Sequence, residues 1–301
     1  MSEIVARIAQ LKREKKALIL VHYYQAPEIH EIADFMGDSF DLSQKATTTD
    51  AQLIVFCGVH FMAESAAILN PGKKVVLPAF DAGCPMADTA TAESVRAARL
   101  QYPGAAVVCY MNTSAEVKAE SDIVCTSSNA VKIVNSLSES RVLFVPDRNL
   151  GDFTARHSKK EIILWPGHCY VHTRFLAPEL RRSRELLPNA KVVVHPECSP
   201  EIRDLADHVC STSGMITFVA QSPATEFIIG TEMGLIEFLK RRFPEKRFYA
   251  APPGSTCFNM KKNTLDQVLE ALEREAPVVT VRPEVAQKAK RALDRMLEVG
   301  K

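Results

Sequence analysis

The chain has 301 residues, 47% apolar and 24% charged, and its 37 basic against 36 acidic side chains leave a formal net charge of +1. Such a composition belongs to a globular chain with ample core, and its balanced charge offers no field to draw in nucleic acid or an anionic membrane surface. No apolar run approaches the roughly 18 to 20 residues that a bilayer span needs, and Ala17-Leu18-Ile19-Leu20-Val21 is too short for the core of a signal peptide, which predicts a cytoplasmic protein.

Along the chain, short β-branched runs alternate with helical stretches, the pattern of an α/β fold. Strands are predicted at 17–23, 53–58, 75–80, 105–110, 123–126, 142–145, 162–165, 192–195, 227–230 and 248–251. They are nearly continuous apolar runs, as expected of parallel strands covered on both faces. A last helix over 285–297 places Val285, Ala289, Ala292, Leu293 and Met296 on one face and Lys288, Lys290, Arg291 and Arg295 on the other.

One pattern is written three times. A first strand ends in His22-Tyr23-Tyr24, Tyr110-Met111-Asn112 or His195-Pro196-Glu197, and 17 residues beyond each leading residue stands a hydroxyl: Ser39, Ser127 and Thr212. A cysteine then follows a later strand, with a glycine one to three residues before it: Cys84, Cys169 and Cys257, at 62, 59 and 62 residues from the same leading positions. Three features in register predict three similar α/β units, 1–86, 87–172 and 173–260, with a closing segment at 261–301. Each has a small parallel sheet, and the three surround one central site, because ligands of parallel sheets bind beyond the carboxyl ends of the strands.

The eight cysteines include no C-x-x-C pair, and a cytoplasmic chain does not use them as a disulfide framework. Cys57, Cys109, Cys125 and Cys210 fall within or at the ends of apolar strands and read as small buried hydrophobes. Cys198 stands beside the third leading triplet and reads as packing or as support for the site. Cys84, Cys169 and Cys257 sit in Gly/Pro loops and read as metal ligands. Zinc would take the three with His168. An iron–sulfur cluster would take three thiolates and leave one iron open to act as a Lewis acid.

Thr126-Ser127-Ser128-Asn129 and Ser211-Thr212-Ser213-Gly214 mark helix N-termini, where hydroxyls cap the helix or bind an anion beside its free N–H groups. In register around one axis they point to a small, multiply anionic substrate. A zinc-dependent lyase or aldolase and a cluster-containing sensor are the competing classes.

His22-Tyr23-Tyr24-Gln25, Tyr110-Met111-Asn112-Thr113, Val194-His195-Pro196-Glu197-Cys198, Ser211-Thr212-Ser213-Gly214 and Cys257-Phe258-Asn259-Met260-Lys261 resemble the quinolinate synthase family, over about residues 15 to 275. The resemblance implies three homologous α/β domains and a [4Fe–4S] cluster held by Cys84, Cys169 and Cys257. It implies condensation of iminosuccinate with dihydroxyacetone phosphate to quinolinate in NAD biosynthesis, with an aspartate oxidase or dehydrogenase as the source of iminosuccinate. Substrate-binding positions fall on His22, Ser39, Tyr110, Met111, Asn112, Ser127, His195, Pro196, Glu197 and Thr212. Glu197, Tyr110, Tyr24 and His195 are the expected catalytic groups, with Glu197 and Tyr110 as proton carriers. Longer members carry extra cysteines before the last ligand; here those places are Ala251 and Gly254, which removes that thiol pair.

Overall fold

The computed structural model describes residues 3–299. Its strands form three separate four-stranded sheets, all pairs parallel. The first contains β1 (Ala17–His22), β2 (Phe35–Gly37), β3 (Leu53–Cys57) and β4 (Lys74–Val76). The second contains β5 (Ala106–Tyr110), β6 (Ile123–Cys125), β7 (Arg141–Val145) and β8 (Glu161–Leu164). The third contains β9 (Lys191–Val194), β10 (His208–Val209), β11 (Glu226–Gly230) and β12 (Arg247–Ala250). Each runs second strand, first, third, fourth across the sheet.

The helices, in chain order, begin with α1 (Glu3–Glu14), α2 (Pro27–His30), α3 (Ser39–Thr48), α4 (His60–Leu69) and α5 (Ala92–Gln101). They continue with α6 (Ala115–Ala119), α7 (Ala130–Ser136), α8 (Arg148–Arg156), α9 (Ala177–Leu186) and α10 (Pro200–Arg203). The last four are α11 (Thr212–Gln221), α12 (Met233–Arg242), α13 (Leu265–Arg274) and α14 (Pro283–Val299).

The repeat is fixed by polar side chains as well as by strands. Asp34, Asp122 and Asp207 stand 15 residues after Ile19, Val107 and Val192, and each accepts that residue's backbone N–H at 2.7–2.8 Å. Lys73, Lys160 and Lys246 each lay an ammonium on carbonyls at the ends of α3, α7 and α11. A cation there satisfies orphan carbonyls and opposes the negative end of the helix dipole.

The seams between units repeat too. α2 packs on α12, α6 on α4 and α10 on α8. Each short helix, eight residues past a leading position, contributes a buried basic side chain: His30, Lys118 or Arg203. Each meets an aromatic ring of the facing helix. His30 lies edge-on to Phe238 at 6.0 Å, while the cations of Lys118 and Arg203 lie 5.6 Å from the ring centres of Phe61 and Phe153.

The sequence reading omits β2 and β10, edge strands of three and two residues, too short for any periodicity to register. Its strand over 75–80 stops at Val76, where the chain turns toward the closing segment through Leu77 N–H on the Pro277 carbonyl. That segment divides: α13 packs on α1 and β3, whereas α14 lies on α4, α6, α7 and β6, across the first seam. The buried face of α14 is the expected set of Val285, Ala289, Ala292, Leu293 and Met296. Its larger side chains contribute about 1.5–3 kcal/mol each by leaving water.

Candidate active site

In each sheet the chain leaves the first strand in one direction for the second and in the other for the third, so a crevice opens at the carboxyl end between them. The three crevices share one cavity of about 70 Å³. His22 ends β1, Tyr110 ends β5, and His195 follows β9. All three line the cavity, together with Tyr24, Ser39, Asn112, Ser127, Glu197, Thr212, Cys84, Cys169 and Cys257.

The cysteines occupy equivalent backbone positions. Two residues before each, a carbonyl accepts an N–H from the start of a helix: His60 on Ala82, Arg148 on Gly167 and Met233 on Ser255, at 2.8, 2.8 and 3.0 Å. Three residues after each begins a single 3₁₀ turn: Ala87–Thr89, His172–Arg174 and Met260–Lys262. Backbone N–H groups entering these turns point at sulfur, from Met86 and Ala87 to Cys84, from His172 to Cys169, and from Asn259 and Met260 to Cys257. Gly167 is required in its loop, because a Cβ there would lie 2.5 Å from the Pro146 carbonyl oxygen.

Burial pushes the Cys84 thiol up to about 12 and raises Cys169 and Cys257 as well. Three such thiols become thiolates together when cationic charge enters the cavity, as metal ligation requires. Two are further braced by acids that begin helices: Asp147 Oδ2 accepts Cys169 N–H and Glu232 Oε1 accepts Cys257 N–H, both at 3.1 Å. Val59 stands at the corresponding helix start before Cys84. His168, the residue considered beside the cysteines for zinc, is exposed.

Glu197 is almost wholly buried. Burial favours its neutral form, but the neighbouring His172 and His195 and hydrogen bonds from His172 and Tyr110 outweigh it and hold the carboxyl down to about 2. Tyr110 is driven well above the usual phenol value by burial and by Glu197. The pair is therefore a carboxylate accepting from a neutral phenol. A chain of side-chain hydrogen bonds also reaches Glu197. Thr212 Oγ1 meets the Tyr24 hydroxyl at 3.0 Å, Tyr24 meets Thr231 Oγ1 at 2.6 Å, Thr231 meets His172 Nε2 at 2.9 Å, and His172 Nδ1 meets Glu197 Oε2 at 2.7 Å.

His22 and His195 are each lowered to about 3. Burial is the largest cause in both, with Lys261 and His30 acting on His22 and His172 on His195. Both rings are neutral at pH 7. Nδ1 of His22 accepts Tyr24 N–H at 3.1 Å and Nδ1 of His195 accepts Glu197 N–H at 3.3 Å. In a neutral imidazole this leaves the proton on Nε2 as a donor.

The helix starts divide their labour. Asp38 caps α3 and Ser211 caps α11, so neither Ser39 nor Thr212 serves as the cap. Asn129 Oδ1 accepts Thr126 N–H at 2.7 Å and fixes the turn that carries Ser127. Met111 and Pro196 do not line the cavity; both are buried beside it. Cys57, Cys109, Cys125 and Cys198 are buried, and Cys210 is half-buried against the core.

The sequence reading missed His172, Thr231 and Lys118. His172 carries a signal of its own: three residues after Cys169, a 3₁₀ turn brings its side chain back beside that cysteine. Cys169 Sγ, a His172 ring nitrogen and a Glu197 oxygen lie within 4.8 Å of one another. Both His172 nitrogens already hold hydrogen bonds, to Glu197 and Thr231, so this trio is a hydrogen-bonded network with no spare nitrogen for a metal.

A profile of the family described as Quinolinate synthetase A protein matches residues 6–298. The chain is 54% identical over 290 residues to the quinolinate synthase of Methanoregula boonei, covering 96% of each chain. It is 52% identical over 296 residues to that of Desulforudis audaxviator, covering 98% of each, and 51% identical over 298 residues to that of Methanosarcina barkeri, covering 99% of this chain and 98% of the relative. With a match from one end of the fold to the other, this chain belongs to the quinolinate synthetase A protein family.

Proposed function

We propose that this chain is a quinolinate synthase of NAD biosynthesis, condensing iminosuccinate with dihydroxyacetone phosphate. The observation that carries the reading is the convergence of Cys84, Cys169 and Cys257, from three equivalent loops, on one cavity that also holds three registered hydroxyls. Three cysteine donors with backbone N–H groups aimed at their sulfurs suit a [4Fe–4S] cluster, which carries negative charge and takes thiolate ligands. When bound, such a cluster supplies an iron with no cysteine on it, a Lewis acid for substrate oxygens.

The remaining chemistry belongs to side chains. Ser39, Ser127, Thr212 and Asn112 hold carboxylate and phosphate oxygens, with neutral His22 and His195 donating from Nε2. Glu197, ionised, takes a proton from carbon or hydroxyl, and the Tyr110 phenol returns one. The hydrogen-bonded line through His172, Thr231 and Tyr24 keeps Glu197 supplied and oriented. In the described residues no helix is long and apolar enough to cross a membrane, in keeping with small soluble substrates.

Anaerobic purification followed by assay tests the reading. About four irons and four sulfides per chain, with quinolinate formed from dihydroxyacetone phosphate and iminosuccinate generated in the cuvette, support it. A single zinc per chain and no quinolinate overturn it.

A further inference from the structure

Lys118 is one of the largest fully buried side chains in the molecule. Its counterparts at the other two seams satisfy their charge or lone pair across the seam: Arg241 Nη2 donates to His30 Nδ1 at 2.6 Å, and Arg203 pairs with Asp152. Lys118 instead turns back onto its own unit. Its Nζ donates to the Met111 carbonyl at 2.8 Å and to the Thr113 carbonyl, the two carbonyls that flank Asn112.

The rest of that loop is equally committed. Met111 N–H bonds the Cys125 carbonyl at 2.7 Å, Thr113 N–H bonds the Met111 carbonyl at 2.8 Å, and Thr113 Oγ1 bonds the Tyr110 carbonyl at 2.9 Å. The Asn112 side chain is different. Asn112 lines the cavity, and its Oδ1 is buried with no hydrogen-bond partner. An unpaired buried amide oxygen is costly to keep, and here it is an acceptor left free at the cavity wall. The ammonium is also walled by the Phe61 ring of the neighbouring unit, 5.6 Å from the ring centre.

We propose that Lys118 is a positioning residue: by holding the carbonyls on both sides of Asn112, it fixes the Asn112 amide and the Tyr110 phenol toward substrate. The inference rests on the quinolinate synthase reading. A buried lysine spent on two carbonyls costs desolvation that a purely structural seam could avoid with an apolar residue. What the charge supplies is a rigid loop, and catalytic geometry is sensitive to displacements of an ångström.

The test compares Lys118→Met with Arg203→Met in anaerobically purified, iron-loaded protein. Both remove a buried cation from a seam beside an aromatic ring, but Arg203 does not touch the 110–113 loop. Lys118→Met is expected to lower kcat/KM for quinolinate formation about 10- to 100-fold with iron per chain unchanged. Arg203→Met is expected to show a comparable fall in Tm with kcat/KM within about threefold of wild type, a change small beside that expected of a displaced reacting group. Lys118→Arg, which keeps donors for both carbonyls, should recover part of the loss. Lys118→Gln, which keeps one donor, stands in should the Met variant not fold, with the same loss expected in smaller measure. Equal kcat/KM in the Lys118 and Arg203 variants, or a loss accounted for entirely by missing iron, overturns the proposal. A wild-type enzyme that forms no quinolinate fails the functional reading itself and takes this inference down with it.

Discussion

His172 Nδ1 lies 2.7 Å from Glu197 Oε2, deep in the central cavity. A carboxylate only accepts, so Nδ1–H is the donor to Glu197, while Nε2 of the same ring accepts from the Thr231 hydroxyl at 2.9 Å and the imidazole is held at both ends. Burial pushes the Glu197 carboxyl up, and His172 is foremost among the neighbours that bring it down.

His172→Phe should therefore raise the Glu197 pKa. With the donor gone, burial prevails, and the acid limb of the kcat/KM profile moves to higher pH. Turnover at pH 7 is expected to fall about 10- to 100-fold, the range of a displaced proton-transfer group. A pH–rate profile compared with wild type decides it; an unmoved acid limb removes His172 from the control of Glu197.

Glu197→Gln keeps the shape of the side chain and abolishes its basicity. Iron content should be unchanged while turnover drops by at least about a hundredfold. Near-normal activity would assign the base to another residue.

Cys84→Ala, purified without oxygen, should lose most of its iron, and the same follows for Cys169→Ala and Cys257→Ala. Iron and sulfide analysis reads this without any activity measurement. A full complement of iron in any of the three would falsify the ligand assignment.

His30 makes the seam between α2 and α12 sensitive to acid. Burial, with Arg241 and Lys261 nearby, lowers its pKa to about 4, while in the unfolded chain it titrates near 6.5. Between those values the unfolded state binds the extra proton, so stability falls as pH drops from about 6.5 toward 4 and the contribution is complete above that window. The neutral ring accepts from Arg241, and a protonated ring would face that guanidinium as a like charge. Urea unfolding at pH 7.5 and pH 5 should show a loss roughly 2 kcal/mol smaller in His30→Gln than in wild type. Equal losses in the two proteins would contradict it.

The three aspartates that follow the first strands give a stability test of the repeat. Asp34→Ala, Asp122→Ala and Asp207→Ala each strand one backbone N–H and should each cost about 1.5 kcal/mol. Denaturant midpoints should shift by similar amounts, and a single dominant member would show that the equivalence is one of shape alone.

Long buried strands and the spacing of Cys84, Cys169 and Cys257 were legible in the sequence, because both are repeated three times and a parallel sheet writes continuous apolar runs. What escaped was set by tertiary contact. β10 is two residues long and leaves no pattern. Lys118 stands among Glu116, Glu120 and Ser121, which reads as a solvated face; only the packing of α6 on α4 and α14 reveals that it is enclosed. His172 lay in plain view three residues from Cys169, yet a lone histidine carries no address until a 3₁₀ turn gives it one. Asp147 and Glu232 each cap a helix with one carboxylate oxygen and brace the loop of Cys169 or Cys257 with the other, a double use that only the fold brings about.

The aligned seams have a further meaning when one imagines three identical subunits in their place. A true homotrimer would present three copies of every group at its axis: three lysines, three glutamates or three tyrosines crowded on one small substrate. Joining the units in a single polypeptide lifts that constraint. Position 8 of the motif can be histidine, lysine and arginine in turn, and the leading position can be His22, Tyr110 and His195. The common backbone keeps three sulfur positions equivalent, while the side chains around them differ, and so a nearly symmetric frame can hold a substrate that has no symmetry at all.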